Sequence, residues 1–164
     1  MTIFYRARRV GRYGVPFTMF KFRTMCEGAD KIGGPSTSGD DPRLTPVGKW
    51  LRRFKLDELP QLLNVLRGEM SLVGPRPEVK EVIDLLTPEE KAVILSVKPG
   101  ITDLASLWNH NEEEILRGEA DPHQAYLDKI WPEKKRLQIE GIRNKSLWYD
   151  TKIVIRTLWR IIRK

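Results

Sequence analysis

An α+β fold, predominantly helical, is predicted for this 164-residue chain by three features of its sequence. β-Favouring aromatics are concentrated in one opening stretch with a glycine-bounded turn at its middle. Beyond it, amphipathic segments recur, several opened by a hydroxyl or carboxylate residue followed by proline, the signature of helix starts. The chain then closes on a basic amphipathic stretch flanked by tryptophans.

The opening stretch, residues 2–24, reads as a hairpin. Ile3-Phe-Tyr5 begins an apolar run, Gly11-Arg-Tyr-Gly14 supplies the turn, and Phe17 to Phe22 returns. Period two places Lys21 and Arg23 on one face and Phe20 and Phe22 on the other. The basic side chains read either as a solvated face or as a phosphate-facing pair. Residues 26–45 carry turn chemistry throughout Gly33-Gly-Pro-Ser-Thr-Ser-Gly-Asp-Asp-Pro42, and a loop of that length belongs to an active site or is disordered. Asp40 and Asp41 are metal-ligand candidates, with an Asx turn before Pro42 as the simpler use.

Thr45-Pro46 starts a helix that would carry Val47, Trp50, Leu51 and Phe54 on one face. Pro60 is tolerated in a first helical turn but breaks an interior. A second helix beginning near Asp57 fits, with Leu59, Leu62, Leu63 and Leu66 as its buried stripe and Gly68 as its stop; one continuous helix kinked at Pro60 is the alternative. In the first case Asp57 and Glu58 sit at a helix N-terminus, where free N–H groups favour carboxylates and phosphates alike. The pair is flanked by Lys49, Arg52, Arg53 and Lys55. Cations gathered around a lone carboxylate pair suit a site for phosphate and a divalent metal.

Met70-Ser-Leu-Val73 is too apolar to be exposed and delivers the chain to Gly74-Pro-Arg-Pro77, where two prolines restrict the backbone around Arg76. A guanidinium held in this way loses less entropy on bidentate phosphate contact. Thr87-Pro-Glu-Glu90 is a capping box opening a helix to about Val97. Lys98 to Asp103 forms a rigid turn, and the polar stretch Asn109–Gly118, with its triple glutamate, reads as a solvated face. Asp121-Pro122 caps a long helical stretch, bent or restarted at Pro132, that ends near Asn144. From Ser146 to Lys164, Lys152, Arg156, Arg160 and Arg163 share a helical stripe and apolar residues cover much of the rest. That helix suits a membrane interface or the domain core equally well.

Composition narrows the partners. The net charge of +7 and a pI near 9.6 point to an anionic partner. The single cysteine, Cys26, leaves no disulfide framework, and His110 and His123 lack helical metal-ligand spacing. No run of about 18 apolar residues marks a spanning helix or signal peptide. Nucleic acid is disfavoured, since neither zinc-finger spacing nor an aromatic RNA-binding signature is present.

The motifs Lys21-Phe-Arg-Thr-Met25, Asp40-Asp-Pro-Arg43, Leu56-Asp-Glu-Leu-Pro-Gln-Leu62, Asn64-Val-Leu-Arg-Gly-Glu-Met-Ser-Leu-Val-Gly-Pro-Arg-Pro77, Lys98-Pro-Gly-Ile-Thr102 and Arg143-Asn-Lys-Ser-Leu-Trp148 carry a resemblance. Across nearly its whole length the chain resembles the bacterial sugar transferase family, the monotopic phosphoglycosyltransferases. The resemblance implies transfer of a sugar-1-phosphate from a nucleotide sugar, UDP-linked by expectation, to polyprenyl phosphate with release of the nucleoside monophosphate. It further implies Mg2+ and a covalent phosphosugar-aspartyl intermediate. Carried over by position, Asp57 is the nucleophile and Glu58 its partner, the two carboxylates being the metal candidates. Arg52 and Arg76 match phosphate-engaging arginines, and Lys21 and Arg23 a further basic motif.

The expected unit is one catalytic domain over residues 1–164, working at the cytoplasmic face of the bacterial inner membrane. Relatives carry an N-terminal hydrophobic segment ahead of this region, and the sequence in hand starts after it. A catalytically silent membrane-surface module is the competing expectation. Thr102-Asp-Leu-Ala-Ser-Leu-Trp108 stands where relatives have a Gly-Trp-Ala stretch, so the sugar is left open.

Overall fold

The computed structural model describes residues 2–34, 36–109 and 111–163. His110, Pro35 of the predicted loop and Lys164 of the last predicted helix lie outside them. The α+β expectation holds, with helix predominating. Strands β1 (Phe4–Val10) and β2 (Pro16–Phe22) form the predicted antiparallel hairpin, in a register that sets Ala7 opposite Met19 and Tyr5 opposite Lys21. Its turn uses Gly14 at φ 77°, a left-handed conformation that suits glycine. Ala7, Phe17 and Met19 pack with Met70 beneath one face of the hairpin. Lys21 lies on the same face as Phe17 and Met19, so the strand's own period turns it inward.

After the short α1 (Ala29–Ile32), α2 (Pro46–Arg53) starts as predicted, with the Thr45 hydroxyl accepting from the Gly48 N–H at 2.9 Å. Its packing differs from expectation: Val47 and Trp50 are exposed, and the buried contact is made by Gly48. A Cβ at Gly48 would lie 1.9 Å from the Thr24 carbonyl oxygen, so a helix backbone can approach the end of β2 only there.

The segment after α2 corrects the sequence expectation most. No helix starts at Asp57. Lys55 adopts a left-handed conformation (φ 56°), closing α2, and Leu56–Glu58 make a single 3-10 turn. α3 spans only Gln61–Leu66, with Pro60 at its N-cap. Its leucines face outward: Leu59, Leu62 and Leu63 are about half exposed and Leu66 is 84% exposed, while Gln61 and Asn64 are fully buried. Periodicity finds the two faces of an amphipathic helix, and here the polar one is inside. Asn64 explains the inversion. Its amide oxygen accepts from the Phe20 N–H (3.1 Å), and its amide nitrogen donates to Thr18 O and Glu69 Oε2, both at 2.7 Å. The helix is therefore fastened to β2 through hydrogen bonds.

β3 (Ser71–Val73) runs parallel to β4 (Gly100–Thr102). Their approach requires two glycines, because a Cβ on Gly100 would lie 2.1 Å from the Gly74 nitrogen. α4 (Lys80–Asp84) and α5 (Pro88–Ile94) follow, the latter carrying the predicted capping box between Thr87 and Glu90 but stopping at Ile94. α6 (Leu104–Trp108), α7 (Glu112–Ile115) and α8 (Pro122–Ala125) are short. A π-helical turn over Tyr126–Ile130 continues α8 into α9 (Trp131–Arg143), so Pro132 falls in α9's first turn. The wider turn accommodates a residue that cannot donate to the ladder. The larger core, including Val82, Leu86, Ile94, Leu116, Ile130 and Trp131, lies under α4, α5, α8 and α9. α10 (Leu147–Ile162) packs through Ile153 and a Thr157–Thr102 hydroxyl contact of 2.8 Å, leaving Leu147, Trp148, Leu158, Trp159 and Ile162 exposed. Among the described residues, no helix is long and apolar enough to cross a membrane.

Candidate active site

A cavity of about 950 Å³ is lined by residues from both core clusters, by the hairpin, by the 3-10 turn and by the loop after β3. All six residues singled out in the sequence, Lys21, Arg23, Arg52, Asp57, Glu58 and Arg76, line it. They are not equivalent. Glu58, 9% exposed, receives both terminal nitrogens of Arg76, the Nη1 contact being 3.1 Å from Oε2 and the Nη2 contact falling on Oε1. Lys21 Nζ lies 3.4 Å from Glu58 Oε1. Burial alone would raise the Glu58 pKa, but Arg76 and Lys21 outweigh it and hold the carboxyl well below its ordinary range. Reciprocally, Glu58 raises the pKa of Arg76.

Asp57 is treated differently by its surroundings. It is 5% exposed, its Oδ1 is buried without a hydrogen-bond partner, and burial raises its pKa despite the opposing field of Lys21. Glu58 is thus a fully engaged anion, and Asp57 presents an uncommitted oxygen. The 3-10 turn produces this division. The N–H groups of Glu58 and Leu59 bond to Lys55 O and Leu56 O, so they are unavailable as the helix-terminal anion site expected from sequence. The strongest charges acting on the pair, Lys21 and Arg76, are brought from elsewhere in the chain, and Lys55 adds to them from beside the turn.

Arg76 is fixed from both ends. Its backbone N–H donates to Asp103 Oδ2 at 3.3 Å, and Asp103 Oδ1 caps α6 through the Ser106 N–H at 2.7 Å. Arg52 is held by Thr24 Oγ1 (2.9 Å) and Glu113 Oε1 (2.8 Å). Arg23 lines the cavity but bonds to Thr2, at 3.0 Å to its carbonyl and 2.8 Å to its hydroxyl, away from the dyad. Asp41 bonds to the Arg43 backbone and side chain, the Asx use expected of it.

Sequence patterning does not pick out Thr24, Asp103 or Glu113. Glu112 and Glu113 belong to the run read as a solvated face, yet Glu113 pairs with Arg52 and Glu112 with the buried Lys134. Among the described residues no group of three or more His, Cys, Asp or Glu side chains converges to hold a metal. Two adjacent carboxylates still match the habit of Mg2+, which takes one or two protein carboxylates and completes its shell with substrate phosphates and water. Asp57 Oδ1, buried and unpartnered, is the oxygen that fits; both Glu58 oxygens already face cations.

The site is thus a buried acid pair with one open oxygen, faced by fixed cations in a large cavity. A sequence profile described as bacterial sugar transferase matches residues 1–164, and the chain belongs to that family. It is 37% identical over 160 residues to the uncharacterized sugar transferase EpsL of Bacillus subtilis, covering 98% of this chain and 70% of that protein. It is 41% identical over 152 residues to the undecaprenyl-phosphate glucose phosphotransferase of Komagataeibacter xylinus, covering 89% of this chain and 26% of the relative. It is 34% identical over 166 residues to the UDP-N-acetylgalactosamine-undecaprenyl-phosphate N-acetylgalactosaminephosphotransferase of Aeromonas hydrophila, covering 98% and 35% respectively. The chain thus spans between about a quarter and 70% of the length of these relatives.

Proposed function

We propose that this chain transfers a sugar-1-phosphate from a nucleotide sugar, most simply a UDP-sugar, to a polyprenyl phosphate, initiating a surface or secreted glycan. The observation that carries the reading is the contrast within the dyad: Glu58 saturated by Arg76 and Lys21, Asp57 Oδ1 buried and unpartnered. An Asp57 oxygen attacks the sugar-bearing phosphorus, an Asp57 O–P bond forms, the bridging P–O bond breaks, and the nucleoside monophosphate leaves with the bridging oxygen and its electrons. A phosphate oxygen of the polyprenyl acceptor then attacks the same phosphorus, and Asp57 leaves as the carboxylate. Two displacements let a water-soluble donor and a lipid acceptor use one site in turn.

A diphosphate repels an attacking carboxylate, and fixed cations relieve that repulsion without reorganising during reaction. Arg52, Arg76 and Lys21, which line the cavity, would do this; Arg23 also lines it but is bonded to Thr2. Asp57 would hold Mg2+, which would supply further neutralisation of the developing charge.

The acceptor reading rests on the apolar part of the cavity lining, to which Leu59, Leu62, Leu72, Ile101, Val154 and Leu158 contribute. The leucines of α3 are turned outward, α10 exposes Trp148 and Trp159, and both helices contact β3. Along α10, Lys152 lies 4.9 Å from the Trp148 ring and Arg163 4.3 Å from the Trp159 ring, the pairing of amphipathic rings and cations suited to a headgroup layer. We place this face against the cytoplasmic leaflet of the membrane. The test is nucleoside monophosphate release from a panel of nucleotide sugars in detergent with polyprenyl phosphate and Mg2+. Release should require the acceptor for repeated turnover and vanish in Asp57→Asn; undiminished turnover in that variant contradicts the mechanism.

A further inference from the structure

Behind Arg76 the same cavity wall contains a second buried charge cluster that the proposed chemistry does not use. Lys134 of α9 is almost fully buried, and its ammonium group lies 3.0 Å from Glu78 Oε1, 3.4 Å from Glu112 Oε2 and 3.0 Å from the Tyr126 hydroxyl. The Tyr126 hydroxyl in turn donates to Glu78 Oε1 at 3.0 Å. Three donor protons meet three acceptors, so this lysine has none left for a ligand. Glu78, Glu112, Tyr126 and Lys134 all line the cavity that holds the dyad.

The charges are out of place for a site that admits a diphosphate. Glu78 stands two residues beyond Arg76, Glu78 and Glu112 line the cavity together with it, and the negative charges of both act on its guanidinium. A guanidinium contacts two carboxylates as readily as one, and two carboxylates in the wall repel an entering anion. Lys134 is the cation that occupies both.

We propose that Lys134 is a positioning residue: by holding Glu78 and Glu112 it keeps Arg76 turned toward Glu58 and keeps the cavity wall open to a diphosphate. The inference rests on the reading of the site as one for a nucleotide-sugar diphosphate, but it concerns anion binding and is separable from transfer. A purely structural alternative, in which the lysine only fastens α9 to the loop after β3, predicts loss of stability without a change in what the folded protein binds.

The test is calorimetric titration of inorganic pyrophosphate into the whole chain, at a temperature well below the melting point of every variant. An uncompensated carboxylate about 10 Å from a ligand carrying two negative charges weakens its binding by about tenfold at an effective dielectric midway between those of a protein surface and water. Lys134→Met should therefore bind pyrophosphate about tenfold more weakly. Lys134→Met/Glu78→Gln, which lacks the lysine but also one of the two carboxylates it pairs with and so restores the net charge of the cluster, should return to within about threefold of the native protein. Lys134→Arg should bind as the native chain does. The inference is overturned if Lys134→Met binds like the native protein, if the double variant shows no recovery, or if the native chain does not bind pyrophosphate. Nucleoside monophosphate release measured beside it separates the two claims: native protein that releases none while the pyrophosphate pattern holds refutes the transferase reading and leaves this one standing.

Discussion

Replacing Arg76 by alanine removes both hydrogen bonds that reach Glu58 from one guanidinium. Stripping one partner from a buried ion pair costs about 3–5 kcal/mol. Here the Arg76 side chain is 27% exposed and Lys21 stays 3.4 Å from the carboxylate, so solvent and the lysine offset part of that loss. We expect about 2 kcal/mol at neutral pH, which for a chain of this size lowers the melting temperature by about 4–8 °C. The pH dependence makes the test specific. Glu58 is held below its ordinary value of 4.5, so its stabilising contribution is full above that value and fades as pH falls through the folded one. In Arg76→Ala, burial is no longer balanced by the arginine and drives the carboxyl upward. The gap between native protein and variant should therefore be widest near pH 7 and close in acid. Thermal melts by circular dichroism from about pH 7 to about pH 3 measure it. A gap that stays constant across that range would refute the claim that Arg76 holds Glu58 ionised.

Three further outcomes follow from the same geometry. Asp57 is disfavoured as an anion by burial, a group whose raised pKa makes the fold lose stability as pH rises through it, so Asp57→Asn should melt about 2 °C or more above the native chain at neutral pH while transfer is lost. Asn64→Leu leaves the Phe20 N–H and Thr18 carbonyl without their partner and should lower stability by about 2–3 kcal/mol in urea denaturation, with reduced activity because β2 carries Lys21. Gly100→Ala would drive a methyl group to within 2.1 Å of the Gly74 nitrogen, so the β3–β4 pairing must part and the variant should melt well below the native chain or accumulate as insoluble protein.

Much of the local structure was legible in the sequence because short-range chemistry determines it. The hairpin follows from a glycine-bounded turn and period two, and Thr45, Thr87 and Asp121 cap their helices as their side chains require. The six residues singled out through charge placement and motif resemblance all line one cavity. The side of an amphipathic helix that faces the core is a tertiary property. Leu59, Leu62, Leu63 and Leu66 gave a clean apolar stripe, and the structure turns it outward because Asn64 on the opposite face satisfies the β2 backbone. Pro60 predicted a break but not its form; the left-handed Lys55 and the 3-10 turn bury the dyad and use N–H groups that a helix start would have left free. Glu112 and Glu113 read as part of a solvated face and nothing in the sequence marks Lys134, since a charge pair far apart in sequence leaves no local pattern.

The proposed mechanism has Asp57 carry the phosphosugar between donor and acceptor, and intact-protein mass spectrometry reads that directly. Incubated with its nucleotide sugar and Mg2+ in the absence of polyprenyl phosphate, the chain should gain the mass of one phosphosugar. The adduct should map to Asp57, be absent in Asp57→Asn and discharge when the lipid acceptor is added. Steady release of nucleoside monophosphate on adding donor and acceptor together, with no adduct formed from donor alone, would contradict it.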